Sequence, residues 1–184
     1  MYIAHVRDEE KQLLANHLNG VAKIARFHAS KLGFPEQGEL LGLLHDLGKY
    51  SQEFQAYLKS ATGLLNQDED EEFVDWKGLK GKIDHSSAGA QFIWRNLSKK
   101  GDLGQIVGQI LALCVASHHS GLIDCLTSNK NSFGEDSFSK RMEKPDCRTH
   151  LNESLSKADK SILCRAQELI DKPELIEAVQ ATIG

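Results

Sequence analysis

The feature that most constrains this chain is a set of histidines and one aspartate inside otherwise apolar helical segments. His45 and Asp46 follow a leucine-rich stretch, and His118 and His119 close the most apolar stretch of the sequence. A buried polar side chain without a partner costs roughly 1–3 kcal/mol. Because a shared cation removes that cost for several side chains at once, the pattern favours a metal site between buried helices.

Apolar residues recur at helical spacing along most of the chain, and no convincing strand alternation is present. We therefore predict an all-α fold, a compact multi-helix bundle forming a single domain over 1–184, with the metal site between its central helices. Asp8 is expected to cap the first helix. The polar segment at about 120–150 is predicted to be a long loop. The predicted helices are 9–32, 36–48, 51–65, 85–97, 103–118, 151–171 and 174–183.

Composition narrows the class of protein. Hydrophobic residues make up 40% and charged residues 26%, which is typical of a soluble globular domain, and a net charge of −4 gives no general basic field for nucleic acid. No apolar run approaches the roughly 20 residues that cross a bilayer, so we expect no membrane association and a cytoplasmic location. The acidic stretch 66–75 and the lysines after it, Lys77, Lys80 and Lys82, are interpreted as a solvated loop.

The candidate ligands indicate which metals the site takes. They are His17, His45, Asp46, His85, His118 and His119. Imidazoles with one carboxylate suit manganese, iron, cobalt, nickel or zinc, with magnesium as a further candidate. Six ligands exceed one four-coordinate site with an open position, so they suit two divalent ions bridged by Asp46. Such a pair can activate a water and stabilise the leaving oxygen of a phosphodiester.

Lys49 lies one turn after His45 and can reach the same face. There it can neutralise a non-bridging phosphate oxygen, which makes Asp46 and Lys49 the predicted catalytic residues. The alternative is a helix-end lysine that is exposed and favoured by the helix dipole.

The segment His45-Asp46-Leu47-Gly48-Lys49 is similar to the signature of the HD phosphohydrolase superfamily. Further motifs occur in order along the chain: Ala4-His5, His17-Leu18 with Val21-Ala22, the segment 84–90 (DHSSAGA), and the segment 117–122 (SHHSGL). Together they resemble the HD nuclease domain of the CRISPR-associated helicase–nuclease of type I interference systems. The likeness extends from about Ala4 to Ile170.

This resemblance implies an antiviral endonuclease that cleaves single-stranded DNA with a transition metal as activator. It assigns His17 and His45 to one metal, Asp46 to the bridge, and Lys49 to the phosphate. The second metal would be held by His85, His118 and His119. The implied partners are a helicase domain or subunit of the same system and a guide-RNA surveillance complex.

One departure from the family pattern concerns a late metal-binding aspartate in an Asp-Ala-Asp-like motif. Here only Lys157-Ala158-Asp159-Lys160 is present, and we expect Asp159 to be an ordinary helix-surface residue. We therefore expect the chain to be an N-terminal fragment or a stand-alone nuclease subunit that lacks that aspartate and the helicase motor. The position built on His17 and His45 would then bind metal less well than the other, so of the one or two ions that the site could hold we expect one well-bound ion or none in this chain, retained preferentially on the His85 side.

Two other functions stay open at this point: an HD phosphohydrolase acting on nucleotides, and a degenerate HD fold kept as a binding module. His28 and His150 are expected outside the ligand set, and His5 is expected at most to support the site without binding metal. The loop 120–150 is expected to flank the mouth of the site. Its basic residues would attract a nucleic-acid backbone and its two phenylalanines would stack on bases; these are Lys130, Lys140, Arg141, Lys144 and Arg148, with Phe133 and Phe138.

Overall fold

The computed structural model describes residues 1–7, 10–119, 121–129 and 132–183, and helices dominate it, which confirms the all-α prediction. A 3-10 helix, Leu47–Tyr50, follows the second α-helix. Two short antiparallel hairpins accompany the helices, β1 (Ile3–Arg7) with β2 (Glu10–Leu13) and β3 (Leu126–Asn129) with β4 (Ser132–Asp136). The α-helices are α1 (Leu14–Ser30), α2 (Pro35–Leu44), α3 (Gln52–Ala61), α4 (Ser86–Leu97), α5 (Gly101–Ser117), α6 (Ser137–Met142), α7 (Asp146–Thr149), α8 (Leu151–Lys157), α9 (Lys160–Asp171) and α10 (Glu174–Ile183).

Helix α2 lies at the centre of the bundle because it is apolar around most of its circumference. Leu40, Leu43 and Leu44 are fully buried, and α2 contacts α1, α5, α9 and α10. At Gly42 the absence of a side chain allows close packing, since a Cβ there would lie 2.4 Å from the Cα of Ala22 in α1. The end of this central helix is therefore enclosed by its neighbours. In the described part of the chain, every helix is too short or too polar to cross a bilayer.

The N-terminal segment differs from the predicted helix 9–32. The residues before Leu14 pair as a strand with β1, which satisfies their backbone groups, and the Leu14 N–H donates to the Tyr2 carbonyl at 2.9 Å. Helix α1 therefore begins at Leu14 without a side-chain cap. The predicted cap, Asp8, lies outside the described residues.

Two other predicted helices are interrupted. The helix predicted over 36–48 ends at Leu44, and the chain turns at His45 and Asp46 into the 3-10 helix. The helix predicted over 151–171 breaks at Ala158, whose extended backbone separates α8 from α9. The first interruption matters for the arrangement of polar side chains, because it turns the His45-Asp46 pair toward neighbouring helices.

The segment 120–150, predicted to be a long loop, contains the β3–β4 hairpin and the short helices α6 and α7. Helix α6 buries Phe138 and Met142, and the Phe138 ring packs edge-on against Trp94 of α4 at 5.2 Å. These two apolar side chains hold the segment against α4. They could not be recognised from the polar composition of the segment.

We predict that Gly89→Ala in α4 destabilises the protein by about 2–3 kcal/mol, because the added Cβ would lie 2.0 Å from the Leu44 carbonyl oxygen. Gly20→Ala in α1 is the matched control, since a Cβ there meets nothing within 4 Å. That change should stabilise the helix by about 0.5–1 kcal/mol. Urea unfolding of both variants measures the two effects, and equal changes in the two would contradict the close contact of α4 with α2.

Candidate metal centre

The carboxylate of Asp46 lies at the centre of the site, 2% exposed, at the turn that follows α2. Its two oxygens face different histidines. Oδ2 lies 3.2 Å from His17 Nε2 and 3.1 Å from His45 Nε2. Oδ1 lies 3.4 Å from His118 Nε2 and 3.6 Å from His85 Nε2. One carboxylate thus stands between two sets of imidazoles.

Backbone carbonyls define the tautomers of three of these imidazoles. A carbonyl only accepts hydrogen bonds, so a ring nitrogen beside it must carry the proton. In the neutral ring the other nitrogen, Nε2, then turns a lone pair toward Asp46, as in metal-binding histidines held by outer hydrogen bonds. The three bonds run from His45 Nδ1 to Gly42 O at 2.9 Å, from His85 Nδ1 to Ile83 O at 3.2 Å, and from His118 Nδ1 to Val115 O at 2.7 Å.

Three buried polar atoms at this point have no hydrogen-bond partner: Asp46 Oδ1, His85 Nε2 and His118 Nε2. All three are lone-pair donors in the tautomers assigned above, so they cannot satisfy one another. Their separations match those of ligand atoms that each lie about 2.0–2.2 Å from a shared transition metal. Together with His119, their ligand atoms lie within 4.8 Å of one another. These residues therefore fit a bound divalent cation.

The protonation states also suit a cation. Burial lowers the pKa of His85 to about 4, and burial also lowers the pKa of His119. Both rings are therefore neutral at pH 7, the form that binds metals.

A second group of potential ligands lies on the Oδ2 side of Asp46. The ligand atoms of His5, His17 and Asp46 lie within 4.8 Å of one another. Lys49 also reaches Oδ2, with its Nζ at 2.9 Å, and its side chain is only 4% exposed. The lysine is therefore a buried partner of the carboxylate, and the alternative of an exposed helix-end lysine is wrong.

Gly48 explains the close approach of the His-Asp turn to the next ligand. Its N–H donates to the His85 carbonyl oxygen at 3.2 Å, and a Cβ at this position would lie 2.4 Å from that oxygen. Only glycine permits this contact, which holds the backbone of His85 beside the turn that carries Asp46. The glycine of the His-Asp-Leu-Gly-Lys segment thus has a packing role in the site.

The structure brings the predicted site residues together around Asp46: His17, His45, His85, His118, His119 and Lys49. It adds His5, which the sequence analysis placed outside the ligand set and whose only signal was the Ala4-His5 pair. Asp159 belongs to neither group of ligands and accepts a hydrogen bond from the buried Tyr50 hydroxyl at 3.2 Å. Burial raises the pKa of that hydroxyl to about 12.

The histidines expected to be unrelated to the site lie outside both groups. His28 is exposed on α1, where its ring contacts Phe27. His150 adopts a left-handed backbone conformation and pairs with Glu53, 2.7 Å from its Nε2.

A cleft of about 710 Å³ opens beside the site and carries basic side chains on its wall. His5, Lys49, His85 and His119 reach it from the metal side. The rest of its lining comes mainly from two segments and from aromatic residues of α3: Lys80, Gly81, Lys82, Ile83 and Asp84, then Arg141 and Lys144, with Phe54 and Tyr57. Lys80 and Lys82, interpreted from sequence as part of a solvated loop, are exposed but line this cleft.

Two buried or half-buried side chains hold the basic wall in place. The Gln91 amide donates to the carbonyls of Met142 at 3.0 Å and Lys144 at 2.9 Å. Asp84 accepts from Lys144 Nζ at 2.7 Å and caps α4 through Ser87. Burial would raise the pKa of Asp84, but the hydrogen bonds from Lys144 and Ser87 lower it to about 2.

Only part of the predicted nucleic-acid surface over 120–150 reaches the cleft. Phe138 is 3% exposed, so the expectation that it stacks on bases is wrong. Lys140 pairs with Glu135, and Arg148 is exposed away from the cleft lining. Lys130 lies outside the described residues, and so does the side chain of Phe133.

A helical bundle with a buried aspartate between two sets of histidines has the features of the HD class of metal-dependent hydrolases. The profile of the family described as "Cas3, HD domain" matches residues 5–182, nearly the whole chain. The chain therefore belongs to the Cas3 HD-domain family, the CRISPR-associated HD nucleases. Among curated proteins, none matches the chain significantly.

We predict that Mn²⁺ or Co²⁺ raises the melting temperature of protein first stripped with a chelator. A cation that binds only the folded state at one hundred times its Kd contributes about 2.7 kcal/mol. His118→Ala should lose most of this stabilisation, and His28→Ala, a change at an exposed site, should keep it. Thermal unfolding with and without metal is the measurement. A wild-type melting temperature that does not change when metal is added would contradict metal binding at this site.

Proposed function

We propose that this chain is a metal-dependent endonuclease domain that cleaves single-stranded DNA during CRISPR interference. The observation that carries the proposal is the Asp46 carboxylate between two histidine sets, with Lys49, His85 and His119 of the same site lining a cleft that has a basic wall. Its partners would be a helicase domain or subunit of the same system and the guide-RNA surveillance complex, and its location would be cytoplasmic.

We assign the ligands from the two sides of Asp46. On the Oδ1 side, His85, His118 and His119 would complete one position, and on the Oδ2 side His17 and His45 would hold the other. When bound there, divalent cations supply Lewis acidity that lowers the pKa of a water and offsets charge on a phosphodiester. The imidazole-rich donor set favours manganese, iron, cobalt, nickel or zinc over magnesium.

Lys49 is the residue of this chain best placed to bind the scissile phosphate. Its ammonium is fixed by Asp46 Oδ2 at 2.9 Å, and the residue lines the cleft. An ammonium held in this way keeps its position, so it can neutralise a non-bridging phosphate oxygen without being reorganised. Since Asp46 contacts both Lys49 and the histidines, it sets the distance between the phosphate and the ligands.

The composition of the cleft favours a polynucleotide over a free nucleotide. One wall carries Lys80, Lys82, Arg141 and Lys144, and α3 presents Tyr57. Cations that follow a backbone together with an aromatic ring that stacks on bases are typical of single-strand binding. Tyr57 thus takes the stacking role that was predicted for Phe138.

The test of substrate class is a panel of linear single-stranded, circular single-stranded and duplex DNA, with nucleoside triphosphates and cyclic nucleotides, each with Mn²⁺, Co²⁺, Ni²⁺ or Mg²⁺. Cleavage of circular single strands establishes endonuclease activity. Hydrolysis of nucleotides alone would replace this proposal by a nucleotide phosphohydrolase, and no hydrolysis with metal bound would indicate a binding module.

We predict that Asp46→Ala reduces cleavage of single-stranded DNA to background, because this carboxylate contacts both sets of histidines and Lys49. His118→Ala and His119→Ala should each lower the rate strongly by weakening the Oδ1 side. His28→Ala and His150→Ala are controls expected to cleave like the wild type. An Asp46→Ala rate within a factor of about two of the wild type would exclude the two-metal mechanism.

We predict that Lys80→Gln with Lys82→Gln weakens binding of single-stranded DNA and flattens its salt dependence. Each lost phosphate contact should reduce the slope of log K against log salt by about 0.7. Neither lysine has an ion-pair partner among the residues described, so the double change should leave the fold intact. The control is Lys23→Gln with Lys99→Gln, two exposed lysines outside the cleft lining. Binding is measured without metal by fluorescence anisotropy. If the slope of log K against log salt equals that of the control, Lys80 and Lys82 do not contact the DNA.

A further inference from the structure

His5 lies on β1, a strand that is fixed to the same turn as Asp46. The buried side chain of Gln55 accepts from Ile3 N–H at 3.0 Å and donates to the Ile3 carbonyl at 2.9 Å. The same amide donates to the Lys49 carbonyl at 2.8 Å. Since Ile3 and Ala4 are buried while His5 is not, the strand is anchored and its histidine is free to reach the site.

The His5 ring stands against the ligand set on the Oδ2 side. Its centroid lies 4.8 Å from that of His17 with the rings nearly perpendicular, at 78°. A ligand atom of each ring lies within 4.8 Å of the other and of the Asp46 carboxylate. Among the residues described, no hydrogen bond engages a ring nitrogen of His5, so a nitrogen is available to bind a cation.

We propose that His5 is a metal ligand, which completes the Oδ2-side position with His17 and Asp46. This inference rests on the proposed function. Among the described residues, Asp159 supplies no ligand to this position, since it belongs to neither ligand group and accepts a hydrogen bond from Tyr50. With His5, the Oδ2 side has one carboxylate and two imidazoles whose ligand atoms lie within 4.8 Å of one another, and His45 lies beside them with its Nε2 3.1 Å from Oδ2.

The two positions differ in one respect, the charge of Lys49. Its ammonium lies 2.9 Å from Oδ2, the oxygen that would be shared with the cation on that side. Like charges at short range repel, so the Oδ2 position should bind a divalent cation more weakly than the Oδ1 position. His5 therefore belongs to the weaker of two sites.

Calorimetric titration of chelator-treated protein with Mn²⁺, checked by metal analysis after dialysis, tests this assignment without DNA. The wild type should bind two equivalents of unequal affinity. His5→Ala should lose the weaker equivalent or bind it at least about tenfold less tightly, and His28→Ala should bind like the wild type. His5→Asp restores a ligand atom and should retain two equivalents.

The result that overturns the assignment is His5→Ala binding two equivalents as tightly as the wild type, or a wild type that binds only one. Metal-free melting temperatures of the variants should match the wild type, because the His5 ring makes no hydrogen bond to the described residues. If wild-type protein binds two equivalents and His5→Ala loses the weaker one, but the wild type cleaves no polynucleotide, the proposed function fails and the His5 assignment stands. If the wild type cleaves polynucleotide with only one equivalent bound, the His5 assignment fails and the proposed function stands.

Discussion

The structure depends on one ionised carboxylate, that of Asp46, placed where imidazoles from separate segments converge. A carboxylate this deeply buried is stable only with compensating partners, and Lys49 supplies one of them directly. The imidazoles supply the rest only when something positive lies between their lone pairs and the carboxylate. The interruption of α2 after Leu44, the glycine that admits the His85 backbone, and the buried packing of α1 on α2 all serve to bring these groups to one point.

Much of this arrangement could be predicted from sequence because it follows local rules. Helical periodicity located the main helices, and polar residues inside apolar segments located His45, Asp46, His118 and His119. The ends of helices were less predictable, since pairing of residues 10–13 with β1 overrode helix propensity, a tertiary effect. Phe138 was misinterpreted for a related reason: a lone aromatic in a polar segment has no periodic pattern to show that it is buried against Trp94.

The contributions that sequence could not reveal come from segments far apart in the chain. The only sequence signal for His5 is the Ala4-His5 pair, and its position depends on Gln55, which forms hydrogen bonds with both β1 and the Lys49 backbone. The basic wall of the cleft likewise combines a lysine pair before Asp84 with Arg141 and Lys144, and Gln91 fixes the second group by donating to both backbone carbonyls. The buried amides of Gln55 and Gln91 thus hold segments that are distant in sequence beside the site. Neither composition nor residue spacing indicates this role.

The distribution of the histidines along the chain has a kinetic consequence. The site histidines come together only after long loops have closed; they are at positions 5, 17, 45, 85, 118 and 119. The entropy cost of closing those loops must be overcome before the contacts become favourable. Contacts that form after the folding transition state act mainly on the rate of unfolding. A cation held by Asp46 and its histidines would therefore lower the rate of unfolding and leave the rate of folding nearly unchanged.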